Sequence, residues 1–430
     1  MIGSVFVVLF GSLFIGIPIA ISLGFTALSA YFLDPTLPSN AEYAFRTMIT
    51  ALDSYSLLAI PLFILSGNIM AQGGISRKLF NFFAYFIGDR TAGMPIAAII
   101  TCLFYGAISG SGPATVAAVG AMTIPILLDL GYDKNFVVSM IAVAGGLGVI
   151  IPPSIPFIIY GQSTGASVGN LFIAGVLPGI LIAFCMIIYA YFFCKMKGED
   201  KEKLRANAKE LRSKGFIEMF KDSFWALLTP VIILGGIYIG IVTPTEAANI
   251  SVVYAIIVSV FIYKSIELKD LSAIMADTVA TAAPILLVVS IATVFGKVLT
   301  LMQAPVIISN LITSTFTTKV SVLLAINVIL LFVGMVMDTT PAILILAPIF
   351  MPIVSSIGVD PIHFGVIMVV NLAIGFVTPP VGVNLFVASS MSGMPVLQIA
   401  RNAVPFIIAF IVALLLITFI PAISLTLVGM

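Results

Sequence analysis

Apolar residues run through this chain in blocks of about twenty, the length of helix that crosses a hydrocarbon layer, and polar residues gather between the blocks. The first block covers residues 2–32, with an interruption at Gly16, Ile17 and Pro18, and a polar connection over 34–46 follows. It has no basic stretch ahead of it and is too long for a cleavable signal peptide, so it reads as a retained first span. A second block, 53–70, stops before Arg77 and Lys78, and the aromatic, amphipathic stretch 79–88 reads as interfacial. Residues 91–108 then enter the layer and stop at Ser109, Gly110, Ser111 and Gly112, while 113–128 leave it from Pro113, a residue suited to the first position of a helix. Neither arm crosses comfortably, so a re-entrant hairpin is predicted over 91–128.

Residues 136–163 are predicted as a full span whose centre unwinds over 145–153, and 171–194 lead into a charged tract. Two spans, 223–241 and 246–263, are joined by a tight turn at Thr243, Pro244 and Thr245, and 271–302 form a long span. A second hairpin is predicted over 320–357 with Asp338, Thr339 and Thr340 at its tip, then a second broken span over 361–389 and a closing span over 403–428.

The breaks recur in register. Gly131, Asp133, Gly148, Pro152, Pro153 and Pro178 match Gly358, Asp360, Gly375, Pro379, Pro380 and Pro405, all at a spacing of 227. One gap upstream matches Gly106 to Gly334 and Pro113 to Pro341. An offset held over about fifty residues is the mark of an internal repeat. The organisation expected is a first span in 1–52, a first repeat over 53–194, a cytoplasmic basic loop over 195–222, scaffold spans over 223–270 and a second repeat over 271–430.

Composition fixes the class. The chain of 430 residues is 61% hydrophobic and 9% charged, with a mean hydropathy of +1.23, against roughly 25% charged residues in soluble domains. It is an all-α polytopic membrane protein, in contact with membrane lipid on its outer face. A net charge of +1 gives no reason to expect nucleic acid, and one His with three Cys at no ligand spacing argues against zinc. The tract 195–222 holds nine of the 19 Lys and Arg residues, Lys214 among them, and is assigned to the cytoplasm. Counting spans from there places Arg77, Lys78, Arg90, Lys134, Lys264, Lys269 and Arg401 inside with the N-terminus, and Arg46, Lys319 and the C-terminus outside. The two repeats are then inverted, and their hairpins enter from opposite faces so that the tips meet near the midplane, the architecture of a secondary transporter.

The breaks carry the chemistry. A proline has no amide for the carbonyl four residues back, so Pro152 and Pro153 free the carbonyls of Gly148 and Val149, and Pro379 and Pro380 those of Gly375 and Phe376. Carbonyls at a half-helix C-terminus suit a small hard cation, and the tips add those around 106–109 and 334–338. Two related sites are predicted, with hydroxyls from Ser109, Ser111 and Ser154 in the first and oxygens of Asp338, Thr339 and Thr378 in the second. The first has no carboxylate to carry a proton, which points to sodium. Helices beginning at Pro113 and Pro341, and those resuming after Pro153 and Pro380, turn amides to the same space, a setting for an anion. Ser111, Thr339, Thr340, Asn384 and Ser389 are the candidate substrate contacts. Asp338 reads equally as a ligand or gate and as a cap for the arm at Pro341. Asn384, Ser389 and Ser390 read equally as substrate contacts and as packing groups, and Lys297 either opposes substrate charge or snorkels to the interface.

At 109–120, with Gly148 to Ser154 and Gly375 to Asn384, the sequence resembles the large membrane subunit of tripartite ATP-independent periplasmic (TRAP) transporters, and the resemblance covers essentially the whole chain. It implies an elevator-type, sodium-driven importer in a bacterial inner membrane. It also implies a small four-helix membrane subunit as partner and a periplasmic substrate-binding protein that delivers an organic acid anion such as a C4-dicarboxylate, a sialic acid or a keto acid. Only one span precedes the first repeat, so the small subunit is expected as a separate chain. The family's Na+ sites map by resemblance onto Gly106, Ser109, Gly148, Ile151 and Ser154, and onto Gly334, Gly375, Thr378 and Val381.

The resulting expectation is a transporter that is not an enzyme and has no organic cofactor. The nearest rival is a two-hairpin sodium or proton symporter that takes its anion without a binding protein. A channel and an intramembrane enzyme are more distant, since the paired breaks suit alternating access and no catalytic cluster is evident.

Overall fold

The computed structural model describes residues 2–34, 37, 40–213 and 215–429, apart from the side chain of Thr313. The described residues form helices and no strand, as a chain must whose backbone amides and carbonyls have no water to turn to. Nine helices among them are long and apolar enough to cross a membrane. The first apolar block is not one interrupted span. It forms α1 (Ile2–Phe14) and α2 (Ile19–Leu33), which fold back on each other through a turn where Gly16 takes a φ of +88°. Next, α3 (Ala41–Leu52) starts at Asn40, whose side chain accepts from Tyr43 N at 2.9 Å. The first 52 residues thus hold three helices; part of the 34–46 connection lies outside the described residues.

After a 3-10 turn, α4 (Ala59–Gln72) and the amphipathic α5 (Ile75–Ile87) lead into the first predicted hairpin, α6 (Gly93–Ser109) and α7 (Gly112–Asp129). The following helix α8 (Lys134–Ala144) tightens into a 3-10 turn at Gly145–Val149, loses helical form over 150–154 and resumes as α9 (Ile155–Thr164). A 30-residue helix, α10 (Val168–Lys197), leads to the basic tract. That tract is helical and not a loop: it forms α11 (Lys201–Ser213) and the start of α12 (Gly215–Tyr238), with Lys214 outside the described residues. The reason is an amphipathic pattern in which Leu204 and Ala208, four apart, are both buried while the charges point outward.

A capping box between Thr243 and Glu246 opens α13 (Pro244–Ile256). Then come α14 (Leu271–Leu301), α15 (Ala304–Thr315), the second hairpin α16 (Lys319–Val336) and α17 (Thr339–Ser356), and the second interrupted helix, α18 (Pro361–Gly375) and α19 (Val383–Ser392). The last are α20 (Val396–Phe419) and the short α21 (Ala422–Leu425).

The interrupted helices are the centre of the bundle. Residues 136–161 and 362–377 are buried without a gap, a pattern seen when a helix is wrapped on every side. Among their neighbours, α20 packs against α8 and α16 against α18. At the basic end, Arg212 donates to both carboxylate oxygens of Asp89 at 2.7 and 2.8 Å, and Lys78 pairs with Asp222. Glu199 accepts from Ala92 N at 3.0 and 3.1 Å and from the Tyr132 hydroxyl at 2.6 Å. Ala92 precedes α6 and Tyr132 follows α7, so one carboxylate holds both roots of the first hairpin.

Candidate functional site

The first hairpin tip lies on the first break with only glycine between the two backbones. A Cβ on Gly106 would stand 2.9 Å from Gly148 Cα, and one on Gly148 would stand 2.3 Å from Thr115 Oγ1 and 2.6 Å from Ser111 O. No real Cβ fits at such separations. Thr115 Oγ1 donates to Ser111 O at 2.8 Å and lies 3.0 Å from Ser109 Oγ, so two oxygens, Thr115 Oγ1 and Ser111 O, crowd against the Gly148 backbone with Ser109 Oγ beside them. Ser111 caps α7 and Ser154 caps α9, each accepting from an amide three residues on.

Oxygen is left over here as the prolines require. The Ile151 amide bonds Leu147 O at 3.0 Å and the next two residues are prolines, so no amide among the described residues takes Gly148 O. Val149 O is taken instead by the Ser154 hydroxyl. Ile151 is present through its main chain alone, because its side chain fills the space beside Gly179 on α10.

The second tip repeats the close approach more tightly. A Cβ on Gly375 would stand 2.1 Å from Gly334 O and one on Gly334 would stand 3.4 Å from Gly375 Cα. Val381 N donates to Met335 O at 3.1 Å, which ties the far side of the break to the tip. Here the proline reading needs correcting: Gly375 O accepts from Thr378 N at 3.1 Å and Phe376 O from Asn384 N at 3.0 Å. The chain turns back tightly enough to bring later amides onto both carbonyls, each of which keeps a second lone pair. Thr378 Oγ1 donates to Ile374 O at 2.8 Å. It is Gly334 O, at the end of α16, that no described amide takes.

Asp338 caps α17, its carboxylate accepting from Thr339 N at 2.8 Å, so the capping role has a visible partner. The same side chain borders a cavity of about 390 Å³ between the tip, α1 and α14, together with Phe10, Leu13, Pro284, Thr340 and Val381. Thr339 and Thr340 are both buried. Asn384 is fully buried and reaches across the molecule: its Nδ2 donates to Ala142 O at 3.0 Å, and its Oδ1 would stand 3.3 Å from a Cβ on Gly112. It therefore links the second break to the first hairpin. Ser389 is not brought to the break, since it closes the end of α19 by donating to Met394 O at 2.6 Å. Lys297 lines a separate cavity of about 280 Å³ with Gln162, Ser163, Thr293 and Thr300. Thr115 escaped the sequence reading; its signal was a hydroxyl one turn past the 109–112 tip.

Backbone carbonyls and hydroxyls at the ends of opposed half-helices, with the amides of the resuming helices beside them, form a candidate transport site of the kind found in membrane transporters. The family model of the tripartite ATP-independent periplasmic transporter, DctM component, matches residues 6–423. The chain belongs to that family and is a TRAP large permease, not an enzyme. It is 41% identical to the C4-dicarboxylate TRAP transporter large permease protein of Pseudomonas aeruginosa, over 87% of this chain and 86% of that one. It is 34% identical to the sialic acid TRAP transporter large permease protein of Vibrio cholerae, over 99% and 98%. The isethionate TRAP transporter permease protein of Oleidesulfovibrio alaskensis is 43% identical over 97% of this chain, which spans 65% of that longer protein. Among solved structures, the YdaH transporter of Alcanivorax borkumensis shares the fold at a TM-score of 0.60 and 13% identity, over 91% of each chain.

Proposed function

We propose that this permease couples the inward flow of sodium to the uptake of an organic acid anion delivered by a periplasmic binding protein. The observation that carries the reading is the pair of glycine contacts, Gly106 on Gly148 and Gly334 on Gly375. Each sets a hairpin tip against a half-helix end where one carbonyl, Gly148 O or Gly334 O, has no amide among the described residues. Neutral hard oxygens of this kind fit Na+, and no cluster of three His, Cys, Asp or Glu stands among the described residues to suit a multivalent metal. The first site would use Gly106, Ser109, Thr115, Gly148, Ile151 and Ser154, and the second Gly334, Gly375, Thr378 and Val381.

The matched breaks support two inverted repeats, and the central burial of α8, α9 and α18 supports a mobile unit of hairpins and broken helices within outer helices. Such a unit would move across the inner membrane as an elevator, with the C-terminus periplasmic. Relatives named for C4-dicarboxylate, sialic acid and isethionate have anionic substrates in common, which agrees with the helix N-termini at Ser111, Ser154 and Asp338. A small membrane subunit completes the assembly.

The test is reconstitution in vesicles with the small subunit and binding protein. Uptake of a labelled organic acid is expected only when all three components are present. Equal uptake without the binding protein would favour a symporter that takes its anion directly.

A further inference from the structure

A column of buried polar side chains runs through the second half of the chain and has no counterpart in the first. Asn371 Nδ2 donates to Asn327 Oδ1 at 2.6 Å and to Ile367 O at 2.8 Å. Asn327 Nδ2 donates to Leu323 O at 2.9 Å and to Thr418 Oγ1 at 3.3 Å, and His363 Nε2 lies 3.4 Å from Thr418 O. All four residues are at most 3% exposed. At the offsets of 227 and 228 that relate the two halves, the positions of Asn371, His363 and Asn327 correspond to Ala144, Phe136 and Ile99, each of them buried. Three of the four positions are thus filled by buried apolar residues in the first half, and the fourth, Thr418, corresponds to Tyr191, which is 39% exposed, so the buried polar set is confined to one half.

Polar groups in the interior of a membrane bundle carry a cost that packing alone does not recover, and they mark ion and substrate paths. Two further observations give this column a direction. Its ends are unfinished: Asn371 Oδ1 and His363 Nδ1 are buried and have no hydrogen-bond partner among the described residues. The His363 end borders a cavity of about 270 Å³ lined also by Lys319, Gly358, Asp360 and Thr418. The Asn371 end lies one helical turn before Gly375, and Asn327 lies two turns before Gly334, so the column points from that cavity to the second tip contact. A carboxamide oxygen with a free lone pair is a hard neutral donor of the kind a monovalent cation takes.

We propose that Asn371 Oδ1, held in place by Asn327, is a further cation-binding position that receives sodium from the His363 cavity ahead of the Gly334 and Gly375 site. This rests on the sodium-coupled reading above. Asn371 supplies the ligand; Asn327, through its bond to Asn371 Nδ2, is a positioning residue that keeps the oxygen turned along the column.

The experiment measures uptake in the reconstituted three-component system against sodium concentration, with potassium holding ionic strength constant. Asn371→Ala and Asn327→Ile, which install the residues of the first half, are expected to raise the sodium concentration for half-activation threefold or more. The KM for the organic acid at saturating sodium should stay unchanged. Asn371→Asp, which keeps the oxygen and adds charge, is expected to lower that concentration, and it carries the test if the alanine variant fails to fold. A merely structural role would change the melting temperature equally in sodium and potassium and leave half-activation unmoved in all three variants; that result overturns the proposal while wild-type activation by sodium stands. If the wild type itself ignores sodium, the sodium-coupled reading falls first and takes this position with it.

Discussion

The Gly334 carbonyl oxygen occupies the place where a Cβ on Gly375 would sit, 2.1 Å from it. Two helices thus approach until a methyl group has no room, and the carbonyl at their contact is one that no described amide takes. Gly375→Ala is therefore expected to force the tip off the break, at a cost of about 1–3 kcal/mol for overpacking, and to abolish sodium-dependent uptake. Gly235→Ala is the control, because nothing lies within 4 Å of a Cβ there; as a helical glycine it should be neutral or gain up to about 1 kcal/mol. Melting temperatures and uptake rates of the two purified variants check both statements.

Thr115 offers a finer probe of the first site. Thr115→Val keeps the shape but removes the hydroxyl that contacts Ser111 O and Ser109 Oγ beside Gly148. A hydrogen bond of this kind inside a membrane bundle contributes about 0.6–2 kcal/mol, so the protein should still fold. The sodium requirement for uptake should rise severalfold, and Thr115→Ser should restore it. An unchanged sodium curve for the valine variant would remove Thr115 from the site.

Much of this was legible because Gly and Pro in apolar sequence have few permitted uses. The tips at Ser109 and Asp338 and the breaks at Gly148 and Gly375 all announced themselves by the backbone bonds they must forgo. What escaped the reading depends on contacts between distant segments. The fold-back of α1 on α2 needs a neighbour to pack against, and the helix within 195–222 was masked by its charge. The engagement of Gly375 O by Thr378 N follows from the path of the turn after the break, which the order of Gly and Pro does not specify. Ser389 follows Pro380 closely in sequence, and the ten-residue α19 carries it towards that helix's far end, where it donates to Met394 O.

Glu199 should set the stability of the first hairpin's roots. Its carboxylate takes the Ala92 amide and the Tyr132 hydroxyl, and burial together with that carboxylate pushes the Tyr132 hydroxyl above its ordinary value, which keeps it a donor. Glu199→Ala leaves two donors without their acceptor and is expected to cost about 1–3 kcal/mol. Hydrogen exchange at the start of α6 should quicken in this variant, whereas exchange in α13 should not.

The basic helix α11 should respond to acid. The Arg212 guanidinium hydrogen-bonded to Asp89 holds that carboxyl below its usual 3.8. A carboxylate with a lowered folded value contributes stability above its unfolded value and loses it as pH falls through the folded one. The pair is partly exposed, at 40% and 31%, so its contribution is about 1 kcal/mol or less. Protection of α11 from exchange should hold at neutral pH and decline below the usual carboxylate range, and Asp89→Asn should remove that pH dependence.

The central claim is that main-chain oxygens at the two tip contacts bind the ion that drives transport. Its most direct test is the initial rate of organic acid uptake into vesicles holding the full assembly, under an inward sodium gradient, before and after that gradient is collapsed with an ionophore at constant proton gradient and membrane voltage. The account predicts concentrative uptake that disappears with the sodium gradient. Uptake that continues unchanged after the collapse would contradict it.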